Sequence, residues 1–247
     1  MKNTGNTILI TGGSSGFGRE YARRWHDAGN TVIVAARSED GLRETAEGRD
    51  NLHYLTLDMA DEAQITAFAR TVLERFPDLN VLMNNAGIMP FEDLTGERDL
   101  SDAEKVVIVN LLGPIRLTDA LIEHLKQADD AVVINVTSGL GFVPLPKAPT
   151  YSATKAALHS YTMSLRKKLE GEVEVIELIP PGVQTELTPG QSENDDYMPL
   201  DDFMDETMSL FAQKPTPREI RVDNVKPFRN AEADGKVDEF LNMLAQR

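Results

Sequence analysis

Cysteine does not occur in the 247-residue chain, so disulfides, thiolate nucleophiles and thiolate metal ligands are excluded. Histidine is scarce too: His26, His53, His124 and His159 are scattered without ligand spacing, and no metal site is expected. No apolar run is long enough to cross a bilayer as a helix, so no membrane partner is expected. The chain enters an apolar strand almost at once, which leaves no room for a signal peptide and, with cysteine missing, suits a cytoplasmic protein. Positive charge is in deficit. A formal net charge of −15 argues against nucleic acid and anionic membrane surfaces as partners. Repeats and linker-like stretches are also missing, so a hydrophobic content of 41% reads as one α/β domain, residues 1–247, with one large core.

What is present begins with Thr7–Thr11, a short apolar run closed by glycines, the form of a buried parallel strand. The turn after it, Thr11-Gly-Gly-Ser-Ser-Gly-Phe-Gly18, leads into a helix over residues 19–28. Gly12 permits the tight turn, Gly16 lets backbone approach a pyrophosphate, and Gly18 lets helix pack on strand. The helix N-terminus then offers unpaired N–H groups to phosphate. No Gly-Lys-Ser/Thr follows, so a P-loop is excluded. A plain glycine-rich turn would have the same composition. The second strand, Thr31–Ala36, ends where an NAD site carries a carboxylate for the ribose 2′-hydroxyl; this chain has Ala36, then Arg37 and Ser38. A guanidinium can take a 2′-phosphate bidentately, which favours NADP(H), against the alternative of a solvated loop arginine.

Further on stands Tyr151-Ser-Ala-Thr-Lys155, at the head of a helical pattern. Residues four apart share a helix face, so phenol and ammonium project together. A cation close to a phenol favours the phenolate and makes a usable proton carrier. Such a pair is common by chance, and its company matters. With Thr11–Gly18 upstream, and Asn84-Asn-Ala-Gly87 and Asn135-Val-Thr-Ser138 in order between, the chain resembles the short-chain dehydrogenase/reductase family over residues 6–187. Within that family it is most similar to the DltE-type short-chain oxidoreductases.

The resemblance implies a Rossmann-type doubly wound parallel sheet of about six strands, order 3-2-1-4-5-6, with helices on both faces. It implies an NADP(H)-dependent oxidoreductase that interconverts a carbonyl and an alcohol on a small to medium, largely uncharged substrate. Tyr151 would be the general acid/base, and Lys155 would lower its pKa and bind the nicotinamide ribose. Ser138 would hold the reacting oxygen. Asn110 would bend its helix and continue the proton path through a water. The implied cofactor residues are Gly12, Ser14, Ser15, Gly16, Phe17 and Gly18 in the first turn, and Arg37 and Ser38 at the ribose. Asp58, Met59, Asn85, Ala86 and Gly87 would flank the adenosine, with Asp58 on the adenine amino group. Pro181, Gly182, Val183 and Thr185 would flank the nicotinamide, with Thr185 on its carboxamide. One departure is Ser15, where many NADP-dependent members carry a second basic residue.

Other elements are read in outline. Ser101-Asp-Ala-Glu104 forms a capping box for a long helix over residues 102–126, and a second long helix spans residues 151–169. The loop Gly139-Leu-Gly-Phe-Val-Pro-Leu-Pro146 is apolar and would wall a substrate pocket, or serve as a buried connection. Residues 187–211 mix apolar anchors with carboxylates and stand where the family keeps a substrate lid; a face packed permanently on the body is the alternative. Thr216-Pro-Arg-Glu219 is read as the start of another helix, no seventh strand is found, and residues 216–247 are taken as a C-terminal helical segment. In the family the two long helices pair across a two-fold axis. That implies a homodimer, favoured over a tetramer because the seventh strand is not found. Two rival functions stay open: a reductase of carrier-bound 3-oxoacyl groups, and a redox sensor that holds NADP(H) without turnover. The acidic character of residues 193–206 weighs against an acidic carrier, and intact Ser138, Tyr151 and Lys155 weigh against a sensor.

Overall fold

Short runs rich in Val, Ile and Leu lack the length for helices and pair side by side as strands. The computed structural model describes residues 1–246. Its strands are β1 (Thr7–Thr11), β2 (Thr31–Ala36), β3 (Leu52–Thr56), β4 (Val81–Asn84), β5 (Val132–Val136), β6 (Glu174–Leu178) and β7 (Glu219–Ile220). They form one parallel sheet in the order β3-β2-β1-β4-β5-β6-β7. The α/β doubly wound expectation and the order of its six strands are met.

Alternate residues of each strand face opposite sides and build two cores. Ile8, Ile10, Val32, Val34 and Met83 pack with helices α1 (Gly16–Asp27), α2 (Glu39–Ala46) and α7 (Leu200–Phe211). Leu9, Ile33 and Leu82 pack on the other side with α3 (Glu62–Arg75), α5 (Gly113–Leu125) and the end of α6 (Pro149–Lys168). Both sheet faces are therefore dry, which is why the strands read as continuous apolar runs.

Four expectations need correction. A seventh strand exists. Residues 216–219 do not open a helix: Ile220 is fully buried beside Leu178, while Glu219 is held by Arg229 at 2.8 and 3.1 Å. Two paired residues are too few to leave a pattern in sequence. The helix expected over residues 102–126 is interrupted: α4 (Ser101–Val107) passes through a π turn at Ile108–Leu112 before α5 begins. The capping box is not formed either. Ser101 already lies inside α4, and Asp99 accepts from its N–H at 2.9 Å and its hydroxyl at 2.8 Å. Helix α7 packs on α1. Phe203 stacks on Phe17 at 4.7 Å, Phe211 meets Trp25 at 5.5 Å, and the Tyr21 hydroxyl donates to Thr207 at 2.6 Å. The segment that borders the cleft is narrower, near residues 186–191.

The C-terminal pattern does form helix: α8 (Lys226–Asn230) and α9 (Val237–Ala245) follow β7. Leu244 and Ala231 belong to a third apolar cluster with Val143, Leu145, Ala148 and Tyr151. The end of the chain thus supports the loop after Ser138 and the start of α6. Among the described residues no helix is long and apolar enough to cross a membrane, and no cluster of His, Asp and Glu could hold a metal ion.

Candidate active site

The carboxyl ends of β1, β4 and β5 open onto one cleft of about 870 Å³. At the end of β1, Gly12 takes φ +71° and donates its N–H to Ala35 O at 2.7 Å, folding the turn back over β2. A Cβ on Gly18 would stand 2.3 Å from Gly12 O, so only glycine lets α1 sit this close to the strand end. Gly16, at φ +49°, starts α1 opposite Thr185, whose side chain lies 3.8 Å from where a Cβ would be. Ser15 precedes the helix without a side-chain cap, and no acidic residue occupies the first turn. The N–H groups there are left to an anion from the cleft. This glycine cradle and uncapped helix start fit a dinucleotide.

The turn is braced from β4. The Asn85 amide donates to Thr11 O at 2.9 Å, and the Thr11 hydroxyl accepts from the N–H groups of Asn85 and Ala86 at 3.0 and 3.1 Å. Of the residues expected at the cofactor, Gly12, Ser14, Ser15, Gly16, Phe17, Arg37, Ser38, Asp58, Met59, Asn85, Ala86, Gly87, Pro181, Val183 and Thr185 line the cleft. Gly18 and Gly182 do not: the first is buried behind the turn, and the second lies under the Tyr197 ring. Ser38 also has structural work, since its hydroxyl caps α2 by accepting from Gly41 N at 3.3 Å. Arg37 is exposed at the end of β2.

Ser138, Tyr151 and Lys155 converge on the other half of the cleft. The Ser138 hydroxyl accepts from Leu140 N at 3.1 Å and hydrogen-bonds the Tyr151 phenol. Lys155 Nζ donates to Val136 O at 2.8 Å and sits 5.5 Å from the centre of the Tyr151 ring. Burial pushes the phenol up to about 12, against a smaller lowering by Ser138. Burial also pulls the ammonium down to about 8. In the protein alone, loss of water dominates the phenol and outweighs the lowering by Ser138.

Asn110 is fully buried, off the cleft wall, and lies in the π turn. Its amide clamps Ile88, accepting from Ile88 N and donating to Ile88 O, each at 2.9 Å. A Cβ on Gly87 would stand 3.5 Å from Asn110 Oδ1 and 3.7 Å from Lys155 Nζ, so Gly87, Asn110 and Lys155 meet at one point.

Sequence reading missed Gln191. It is buried, lines the cleft, and donates to Val183 O at 2.8 Å and to the Thr185 hydroxyl at 3.1 Å. A glutamine in an acidic polar stretch carries no signal of such a role. Met89, Pro90, Asp102 and Lys105, also on the cleft wall, were not anticipated for the same reason.

Comparison with known proteins agrees with this geometry. The profile of the family described as short chain dehydrogenase matches residues 6–196. An uncharacterised oxidoreductase, DltE, of Bacillus subtilis (strain 168) is 44% identical over 189 residues, covering 76% of this chain and 75% of that protein. A short-chain dehydrogenase of Streptomyces avermitilis has the same fold, with a TM-score of 0.83, 25% identity, and 98% and 97% of the two chains covered. The alcohol dehydrogenase of Thermococcus sibiricus, solved with 5-hydroxy-NADP, aligns with a TM-score of 0.75 and 27% identity over 88% of this chain and 93% of its own.

Proposed function

The chain belongs to the short chain dehydrogenase family of NAD(P)-dependent oxidoreductases, and from that premise we propose an NADP(H)-dependent enzyme that interconverts a carbonyl and an alcohol. The observation that carries this is the meeting of Ser138, Tyr151 and Lys155 at the end of a cleft whose other end is a glycine cradle. In reduction, Tyr151 gives its phenol proton to the substrate oxygen. Ser138, whose oxygen accepts from Leu140 N, would turn its hydroxyl proton from the Tyr151 phenol to that oxygen. Lys155 holds the cofactor ribose beside Tyr151. NADP(H), held by the glycine cradle and Lys155, would supply the hydride, while Ser138 and Tyr151 orient and polarise the carbonyl. NADPH consumption with a panel of uncharged ketones and aldehydes tests the reading; no turnover of any would favour a sensor.

NADP(H) is preferred on the strength of Ala36 and the exposed Arg37, which leave room and a guanidinium for a 2′-phosphate. The Thermococcus relative solved with an NADP derivative supports the same choice. NADPH is expected to bind at least about tenfold more tightly than NADH, or roughly 1.4 kcal/mol. Ala36→Asp with Arg37→Ala inverts the order. Equal or tighter NADH binding by titration rejects it.

A small to medium, largely uncharged substrate is favoured by Ile88, Met89, Pro90 and Leu187 on the cleft wall, while Val143 and Leu145 are buried behind it and make the loop after Ser138 a supporting connection. Residues 186–198 form the gate beside it, with α7 packed on α1 away from the cleft. A parallel bridge between Val183 and Met198 ties the base of this segment, and Gln191 pins its middle. Hydrogen exchange there is expected to be fast in the free protein and slowed by cofactor with substrate, while α7 stays protected throughout. Uniform protection of residues 186–198 would make them a fixed wall.

Exposed Val107, Leu112 and Met163, on the two segments the family pairs across a two-fold axis, call for a cover. A homodimer follows. Its mass is measured by light scattering at micromolar concentration, and a clean monomer sinks it.

A further inference from the structure

The face of α6 that carries Tyr151 and Lys155 continues four residues on to His159. His159 Nδ1 lies 2.9 Å from both carboxylate oxygens of Glu177. Glu177, on β6, is fully buried, and a buried carboxylate is tolerated only when paired and hydrogen-bonded. Its second partner is Thr137, whose hydroxyl donates to Glu177 Oε1 at 2.8 Å. Thr137 stands between Val136, whose carbonyl holds Lys155 at 2.8 Å, and Ser138, which holds the Tyr151 phenol. Three successive turns of α6 are thus stitched to the end of β5: Tyr151 through Ser138, Lys155 through Val136, and His159 through Glu177 and Thr137. The His159 ring also meets the edge of Phe142 at 4.8 Å, in the loop that follows Ser138. Arg229, stacked on Phe142 at 4.7 Å and paired with Glu219, is the next cation outward.

We infer that Glu177, oriented by His159, is a positioning residue of this site, fixing Ser138 and the Val136 carbonyl through the Thr137 hydroxyl. It touches neither substrate nor cofactor. The inference rests on the proposed acid/base role of Tyr151. The physical reason is that Ser138 stands past the end of β5, where the backbone is held to the next segment only by Thr137 N to Leu178 O and Gly139 N to Pro180 O, each at 2.9 Å, and a side-chain lock adds a restraint that keeps adjacent groups in register. A polar side chain pointing into the sheet, locked to a buried carboxylate, provides one.

The test compares wild type with Y151F, T137V, E177A and E177Q. NADPH binding is followed by fluorescence, and NADPH oxidation with butane-2,3-dione, 4-nitrobenzaldehyde and ethyl acetoacetate is expressed per NADPH-binding site. T137V and E177A are expected to lose roughly 10–100-fold in kcat, as a misplacement of catalytic groups costs, with NADPH affinity within about threefold. E177Q, whose amide oxygen still accepts from Thr137, is expected to keep most of its kcat. A merely structural role would lower Tm and leave kcat per binding site alone. T137V, nearly isosteric, decides if E177A does not fold. T137V with kcat within about twofold of wild type overturns the inference, and if Y151F is then inactive the acid/base reading stands without it. A wild type inactive on every probe, or an active Y151F, removes that reading and this one together.

Discussion

Replacing Tyr151 with phenylalanine is expected to lower kcat by about a thousandfold or more and to change NADPH affinity by less than about threefold. The ring is almost wholly buried and packs with Val106, Val143 and Ala148, and phenylalanine keeps those contacts. What disappears is the one proton positioned against Ser138. Burial holds the phenol at about 12, so the acid form is fully present at neutral pH and supplies carbonyl reduction directly. Alcohol oxidation needs the phenolate, so its rate is expected to rise with pH in the wild type and to be flat and negligible in the variant. Retention of most of the wild-type kcat would refute the acid/base assignment.

Lys155→Met is expected to abolish turnover, weaken NADPH binding, and yet raise Tm at neutral pH by several degrees. Burial lowers the folded-state pKa from 10.5 to about 8. Below pH 8 both folded and unfolded chains carry the charge, and the folded chain bears the whole desolvation penalty. Between about 8 and 10.5 the unfolded chain binds the proton and the folded chain does not, so stability rises with pH through that window. At about 1.4 kcal/mol per pH unit, the difference of 10.5 and about 8 corresponds to about 3 kcal/mol. The methionine also leaves Val136 O without its donor, which costs about 1 kcal/mol. A net gain of about 2 kcal/mol raises Tm by roughly 4–8 °C in a chain of this size. Thermal scans of both proteins at pH 7 and pH 10.5 check the sign. The gain should be largest at pH 7 and shrink at pH 10.5. A variant less stable than wild type at both would mean that Lys155 is worth more as a hydrogen-bond donor than it costs as a buried charge.

The strands were legible because burial on both faces demands unbroken apolar runs, and Thr7–Thr11 and Val132–Val136 consist largely of such residues. The candidate site was legible where it depends on spacing along one element. Gly12, Gly16 and Gly18 share one turn, and Tyr151 and Lys155 share one helix face. Glycine at a positive φ or a close approach leaves no substitute, so its need is written in residue type. The same holds for the absence of cysteine, which decided against thiolate chemistry before any fold was known.

Only the tertiary structure decided the rest, because those features join residues far apart by contacts that no local pattern encodes. Ile220 becomes a strand residue because Leu178 is beside it. Residues 102–126 look like continuous helix, and the π turn is seen only where Asn110 reaches Ile88. Phe203 on α7 became core because Phe17 on α1 stacks against it. The pKa of Tyr151 illustrates the point most directly. Its neighbour four residues away argues for a lower value, but burial under Val143 and Leu244 raises it, and burial is a property of the whole fold.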